Sequence, residues 1–154
     1  MSSAHGGSRP RVAVWPNSVG ESPRGRFPTL ESVPNMSDLY DLFQRGMRLL
    51  EAGDFNQATV PLARARNMDP EKTSIREALG RAYFRSQQYE RARVEFEAVV
   101  ERAPTNDYAL FCLGRALMQL GRTAEARKPL TLAACMNPKR RDYEIYRDRE
   151  RKAA

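Results

Sequence analysis

A chain of 154 residues, 41% hydrophobic and 29% charged, has room for one domain with a modest core. Its single histidine, His5, lies in a Gly/Ser-rich stretch, which excludes histidine acid–base chemistry and histidine-built metal sites. The net charge of +7 divides as +2 over residues 1–36, +2 over 37–138 and +3 over 139–154, so no segment concentrates a nucleic-acid footprint.

Residues 1–36 carry prolines at 10, 16, 23, 28 and 34, with Gly6, Gly7, Gly20 and Gly25 between them. That spacing sustains neither a helix nor a central strand, and a disordered tail is expected. Val12, Val14 and Trp15 are its one apolar cluster, read either as incidental or as a docking motif. Met36 is a candidate start codon. No secretory signal and no run near the ~20 apolar residues that span a bilayer is present, so no membrane insertion and a cytoplasmic location are expected. Cys112 and Cys135 form no CxxC and are expected to be reduced. Arginine outnumbers lysine 22 to 4, a bias common in GC-rich bacteria.

From Ser37, a suitable N-cap, Leu39, Leu42, Phe43, Gly46, Leu49 and Leu50 recur at helical steps. Gly53–Asp54 ends this helix. A second is expected from near Asn56 through Ala58, Leu62, Ala65 and Met68 to Asp69–Pro70. The same helix–turn–helix form returns twice, with breaks at 87–89, 103–104, 121–122 and 137–138. Pro61 and Pro129 are expected in first helical turns, where proline is tolerated, with slight distortion there. Beyond Pro138 a further helix opens with Tyr143, Ile145 and Tyr146 and then turns polar, as a closing helix would.

The strongest signal is periodic. Pro70, Pro104 and Pro138 stand 34 residues apart, as do Gly46, Gly80 and Gly114, and Ala58, Ala92 and Ala126. Leu49/Tyr83/Leu117 and Leu62/Phe96/Leu130 keep the same interval. One helix pair is therefore written three times, and each is too small to bury its apolar face alone. A glycine fixed in mid-helix costs about 1 kcal/mol relative to alanine and implies a closely approaching neighbour.

These columns resemble the tetratricopeptide repeat, a 34-residue helical pattern. The first-helix signature reads Leu42-x2-Arg45-Gly46-x2-Leu49, Arg76-x2-Leu79-Gly80-x2-Tyr83 and Leu110-x2-Leu113-Gly114-x2-Leu117. The second reads Ala58-x3-Leu62, Ala92-x3-Phe96 and Ala126-x3-Leu130, each followed by its proline. Arg45 and Arg76 depart from the pattern and are expected to lay their stems along the core with their heads in water. The resemblance implies an all-α, right-handed α-solenoid of antiparallel helix pairs. Its repeats fall at about 39–72, 73–106 and 107–140, followed by a charged capping helix and tail over 141–154.

In this family the first helices line a concave groove. A second register beside the core stripe carries Tyr40, Phe43, Met47 and Leu50, then Ser74, Glu77, Arg81, Phe84 and Arg85, then Tyr108, Phe111, Arg115 and Met118. Aromatics, Met and Arg are enriched at protein interfaces, so the groove suits a protein or peptide ligand with apolar anchors and acidic residues. The same stripe also reads as packing between first helices, and Arg81 and Arg115 as surface pairs with Glu77 or another acid. Phe43, Met47 and Ala78 at the relevant places argue against the lysine- and asparagine-rich clamp by which some members grip a C-terminal carboxylate. The expected function is a non-enzymatic adaptor with no cofactor and no metal, and with self-association compatible. The alternative is a nucleic-acid accessory using Lys139, Arg140, Arg141, Arg147, Arg149, Arg151 and Lys152, which interleaved acids argue against.

Overall fold

The computed structural model describes residues 35–153. The expected tail, with its Val12–Trp15 cluster, lies outside them except for its last two residues. Seven helices follow in order: α1 Met36–Ala52, α2 Phe55–Met68, α3 Thr73–Arg85, α4 Tyr89–Arg102, α5 Asp107–Gln119, α6 Thr123–Met136 and α7 Arg141–Ala153. Among the described residues there is no strand, and no helix is long and apolar enough to cross a membrane. The all-α solenoid of helix pairs read from the sequence is the observed architecture.

Each helix packs on the next, and α1–α3, α3–α5 and α5–α7 also touch, whereas α2, α4 and α6 do not approach one another. The odd helices thus form the tighter, inner layer. Asn35, and not Ser37, caps α1: its side chain accepts a 3.2 Å hydrogen bond from the Ser37 amide. Asparagine caps as well as serine does, so the helix starts at Met36 and Ser37 is inside it.

The turns inside the three pairs share one geometry. Gly53, Gln87 and Gly121 occupy the same repeat position with φ of 86°, 63° and 73°. Each is followed by an amide that closes back on the preceding helix, Asp54 on Leu49, Gln88 on Tyr83 and Arg122 on Leu117, at 2.9, 2.8 and 2.9 Å. Left-handed backbone disfavours a side chain by about 1–2 kcal/mol, partly offset by the entropy glycine loses on folding. Gln87→Gly is therefore expected to stabilise the fold by about 0.5–1 kcal/mol. An unchanged or lower urea midpoint would contradict that.

Gly46, Gly80 and Gly114 mark the crossing points of the pairs. A Cβ there would stand 2.6 Å from Leu62 Cδ2, 2.9 Å from Phe96 Cζ and 2.6 Å from Leu130 Cδ2. These three partners are fully buried, so the space is closed. Pro61 and Pro129 sit within α2 and α6 and not in the first turns expected for them. The carbonyls that lose a donor belong to Gln57 and Glu125, two residues on the exposed side of their helices.

In the middle pair, the column of Pro61 and Pro129 is filled by Glu95, which is 2% exposed. Its carboxylate accepts from Arg66 Nη1 at 2.7 Å and from Arg76 Nη1 at 2.8 Å, while Arg76 Nε donates to the Pro70 carbonyl at 2.6 Å. The head of Arg76 is therefore bonded inside the molecule and not in water as expected. Arg45, by contrast, remains at the surface. Arg76 replaces the leucine of its column and Glu95 the proline of its own, so two departures in one repeat compensate each other. Together with Arg66 they tie α2, α3 and α4 into one unit.

Tyr143 of α7 is fully buried, with its ring centroid 4.4 Å from that of Phe111; Tyr146 meets Phe111 edge-on at 5.3 Å. Ile145 points away and is 50% exposed. Glu144, Asp148 and Arg151 occupy the columns of Leu110, Gly114 and Leu117, so α7 offers no apolar seat to a further helix.

Candidate functional site

The inner layer carries three hollows, each set by the approach of neighbouring odd helices. Tyr40 and Phe43 line the first, about 370 Å³, with Met36, Leu39 and Ile75. Phe43, Met47, Glu77 and Arg81 line the second, about 290 Å³, together with Ser74 and Ala78. Arg81, Phe84, Arg85, Tyr108 and Arg115 meet in the third, about 420 Å³, closed by Leu50, Glu51, Phe55 and Cys112 among others. The second register is thus largely one continuous lining. Phe111 is an exception: it is 4% exposed beneath Tyr143 and Tyr146, so it is core and not groove surface. Met118 lines none of these hollows and packs, half-buried, against the core.

The third hollow has unusual electrostatics. Arg115 Cζ lies 4.6 Å from the Phe84 ring centroid, 5.0 Å from that of Tyr146 and 5.5 Å from that of Phe111. Arg85 Cζ lies 4.6 Å over Phe55. The negative ring faces hold both guanidinium planes in place. Among the described residues neither these two nor Arg81 joins an ion pair. Arg115 Nε is buried without a hydrogen-bond partner. The pairing of Arg81 with Glu77 considered from the sequence is not formed; Glu77 instead accepts from Asn106 Nδ2 at 3.1 Å. Elsewhere Arg66, Arg76, Arg93, Arg102, Arg122 and Arg127 each hold a carboxylate.

Burial pushes the Cys112 thiol up to about 11 and raises the Tyr108 hydroxyl as well. Both are protonated at neutral pH. Cys112 and Cys135 are both free thiols. Sequence reasoning missed Phe55 and Glu51. Phe55 was legible: it shares its column with Tyr89, and an aromatic repeated just after a turn is a packing signal.

Three of the seven basic C-terminal residues are engaged within the segment. Arg140 Nε and Nη2 donate to Asp142 at 3.0 and 2.9 Å, Arg147 to Asp148 at 3.1 Å, and Arg149 Cζ lies 5.2 Å over Tyr146. The acids Asp142, Glu144, Asp148 and Glu150 interleave with these bases, which weakens the segment as a phosphate track.

A stack of helix pairs with an arginine–aromatic inner face belongs to the class of helical-repeat scaffolds. Within that class the chain belongs to the tetratricopeptide repeat family, whose profile matches residues 43–107 and again 77–141. It is 34% identical over 83 residues to mouse Superkiller complex protein 3, a match covering 54% of this chain but only 5% of that protein. Among solved structures it resembles the first repeat domain of Spaghetti (RPAP3) bound to the HSP90 peptide SRMEEVD. The TM-score is 0.72 at 17% identity, covering 79% of this chain and 96% of that one. The protein MamA MSR-1 gives 0.69 at 25% identity, covering 79% and 71%. The Yersinia enterocolitica chaperone SycD, in complex with a peptide of the translocator YopD, gives 0.65 at 18%, covering 77% and 91%.

Proposed function

We propose that this protein is a non-enzymatic adaptor that holds a peptide or helix of a partner protein along the inner faces of α1, α3 and α5. The observation that carries the reading is the third hollow, where Arg81, Arg85 and Arg115 stand beside Phe84 and Tyr108 and none of the three joins an ion pair among the described residues. Cations fixed on ring faces recognise acidic side chains, and the neighbouring apolar hollows take anchors. Tyr40, Phe43, Met47 and Glu77 extend the contact toward the first repeat, while Phe111 and Met118 support it from behind. In this reading the three repeats form the binding unit and α7 closes its end. Solved relatives that carry partner peptides support the mode, though not the partner.

Arg81 and Arg85 are exposed, whereas Arg115 is wedged among rings, so the first two are the safe positions to reverse. Peptides selected on the wild-type protein from a displayed random library are expected to combine apolar and acidic residues. Arg81→Glu with Arg85→Glu is expected to weaken them roughly a hundredfold, two charged hydrogen bonds being lost, with unchanged circular dichroism. Equal affinity for the double variant would refute the groove.

A further inference from the structure

The third hollow has a charge imbalance that singles out a ligand class. Of the charged side chains that line it, three are guanidinium groups and one, Glu51, is a carboxylate, while Glu77, which borders the adjoining hollow with Arg81, accepts from Asn106. Apart from Glu51, its charged side chains are the arginines, and the Tyr108 hydroxyl and Cys112 thiol beside them are neutral at neutral pH. Arg85 and Arg115 are already oriented by Phe55 and Phe84, and Arg115 Nε is buried with no acceptor. A site built of preset donors with an excess of two charges matches a dianion whose oxygens only accept.

We propose that this hollow binds the phosphate monoester of a phosphoserine in the partner peptide. The inference rests on the groove reading above and names its central anchor. A phosphate monoester carries close to two charges at neutral pH and three acceptor oxygens, which planar arginine forks engage in pairs. An aspartate, a chain-terminal carboxylate or a nucleic-acid phosphodiester brings one charge and leaves the hollow half compensated. The ring faces of Phe55 and Phe84 are occupied by arginine, so the ligand needs reach and charge and not a ring of its own.

The test uses the full chain at pH 7.5 and constant ionic strength. Three peptides, acetylated and amidated to remove terminal charges, carry Ala-Leu-Xaa-Leu-Ala with phosphoserine, aspartate or serine at Xaa. Titration calorimetry is expected to show phosphoserine binding at least about tenfold tighter than aspartate, the value of one further charged hydrogen bond. In nitrogen-15 spectra inorganic phosphate should move the arginine Nε–H signals saturably, and dimethyl phosphate should not. Arg81→Gln with Arg85→Gln should abolish both effects. Aspartate or dimethyl phosphate matching its phosphomonoester counterpart overturns the dianion while leaving an acidic-peptide groove standing. Binding of inorganic phosphate without the phosphopeptide overturns the peptide anchor. Failure of every phosphate probe and both charged peptides overturns this inference. The groove reading is judged separately by its selected peptides.

Discussion

Glu95→Ala is expected to destabilise the fold by about 3 kcal/mol, at the lower edge of the range for breaking a buried ion pair. The carboxylate is 2% exposed and bridges Arg66 and Arg76, which are themselves 27% and 12% exposed in their side chains. Removing it strands the Arg76 head among α2, α3 and α4, while Arg66 regains part of its hydration, which keeps the loss from being larger. Urea unfolding reads the effect. The sequence supplies its own control: Arg76→Leu with Glu95→Pro writes into the middle repeat the residues its neighbours carry at Leu42, Pro61, Leu110 and Pro129. That double variant is expected to recover most of the loss, because replacing a buried pair with apolar groups is commonly neutral or favourable. If Glu95→Ala costs under about 1 kcal/mol, the Glu95 cluster behaves as a surface pair and does not bind the repeats together.

Gly114→Ala is expected to destabilise by about 1 kcal/mol and up to about 2, although alanine is the better helix former by about 1 kcal/mol. The sign follows from packing: the new Cβ would stand 2.6 Å from Leu130 Cδ2, and Leu130 is fully buried with no room to retreat. Overpacking a closed core costs about 1–3 kcal/mol, which outweighs the propensity gain. In a Leu130→Ala background the obstruction is gone, and Gly114→Ala should become stabilising. A stabilising Gly114→Ala in the wild-type background would mean that the α5–α6 crossing is looser than described. Gly80 faces Phe96 at 2.9 Å and should respond in the same direction by less, since the overlap with the ring is smaller.

Most of the fold was legible because its determinants recur. Gly46, Gly80 and Gly114 with Leu62, Phe96 and Leu130 are one contact repeated at one interval, and repetition separates a packing rule from chance. Features that occur once were harder to read. Glu95 looks like any surface glutamate of a charged helix until Arg76 is seen in the leucine column opposite. Phe111 follows the groove register, yet Tyr143 and Tyr146 arrive from a helix outside the repeats and bury it. Pro61 and Pro129 were placed too early: each is the seventh residue of its helix, and even a start at Asn56 leaves Pro61 beyond the first turn. In the site, the arginines and aromatics were visible as a stripe. Their lack of ion pairs was not, because pairing depends on which of the surface carboxylates lies within reach in three dimensions.

The central claim is that partners bind the inner face of the odd helices. Backbone amide shifts, recorded while a library-selected peptide is titrated into the labelled protein, test it most directly. The largest changes are expected at Met47, Arg81, Phe84, Tyr108 and their neighbours on α1, α3 and α5. Changes centred instead on the exposed Val60, Val94 and Leu132 of the even helices would contradict it.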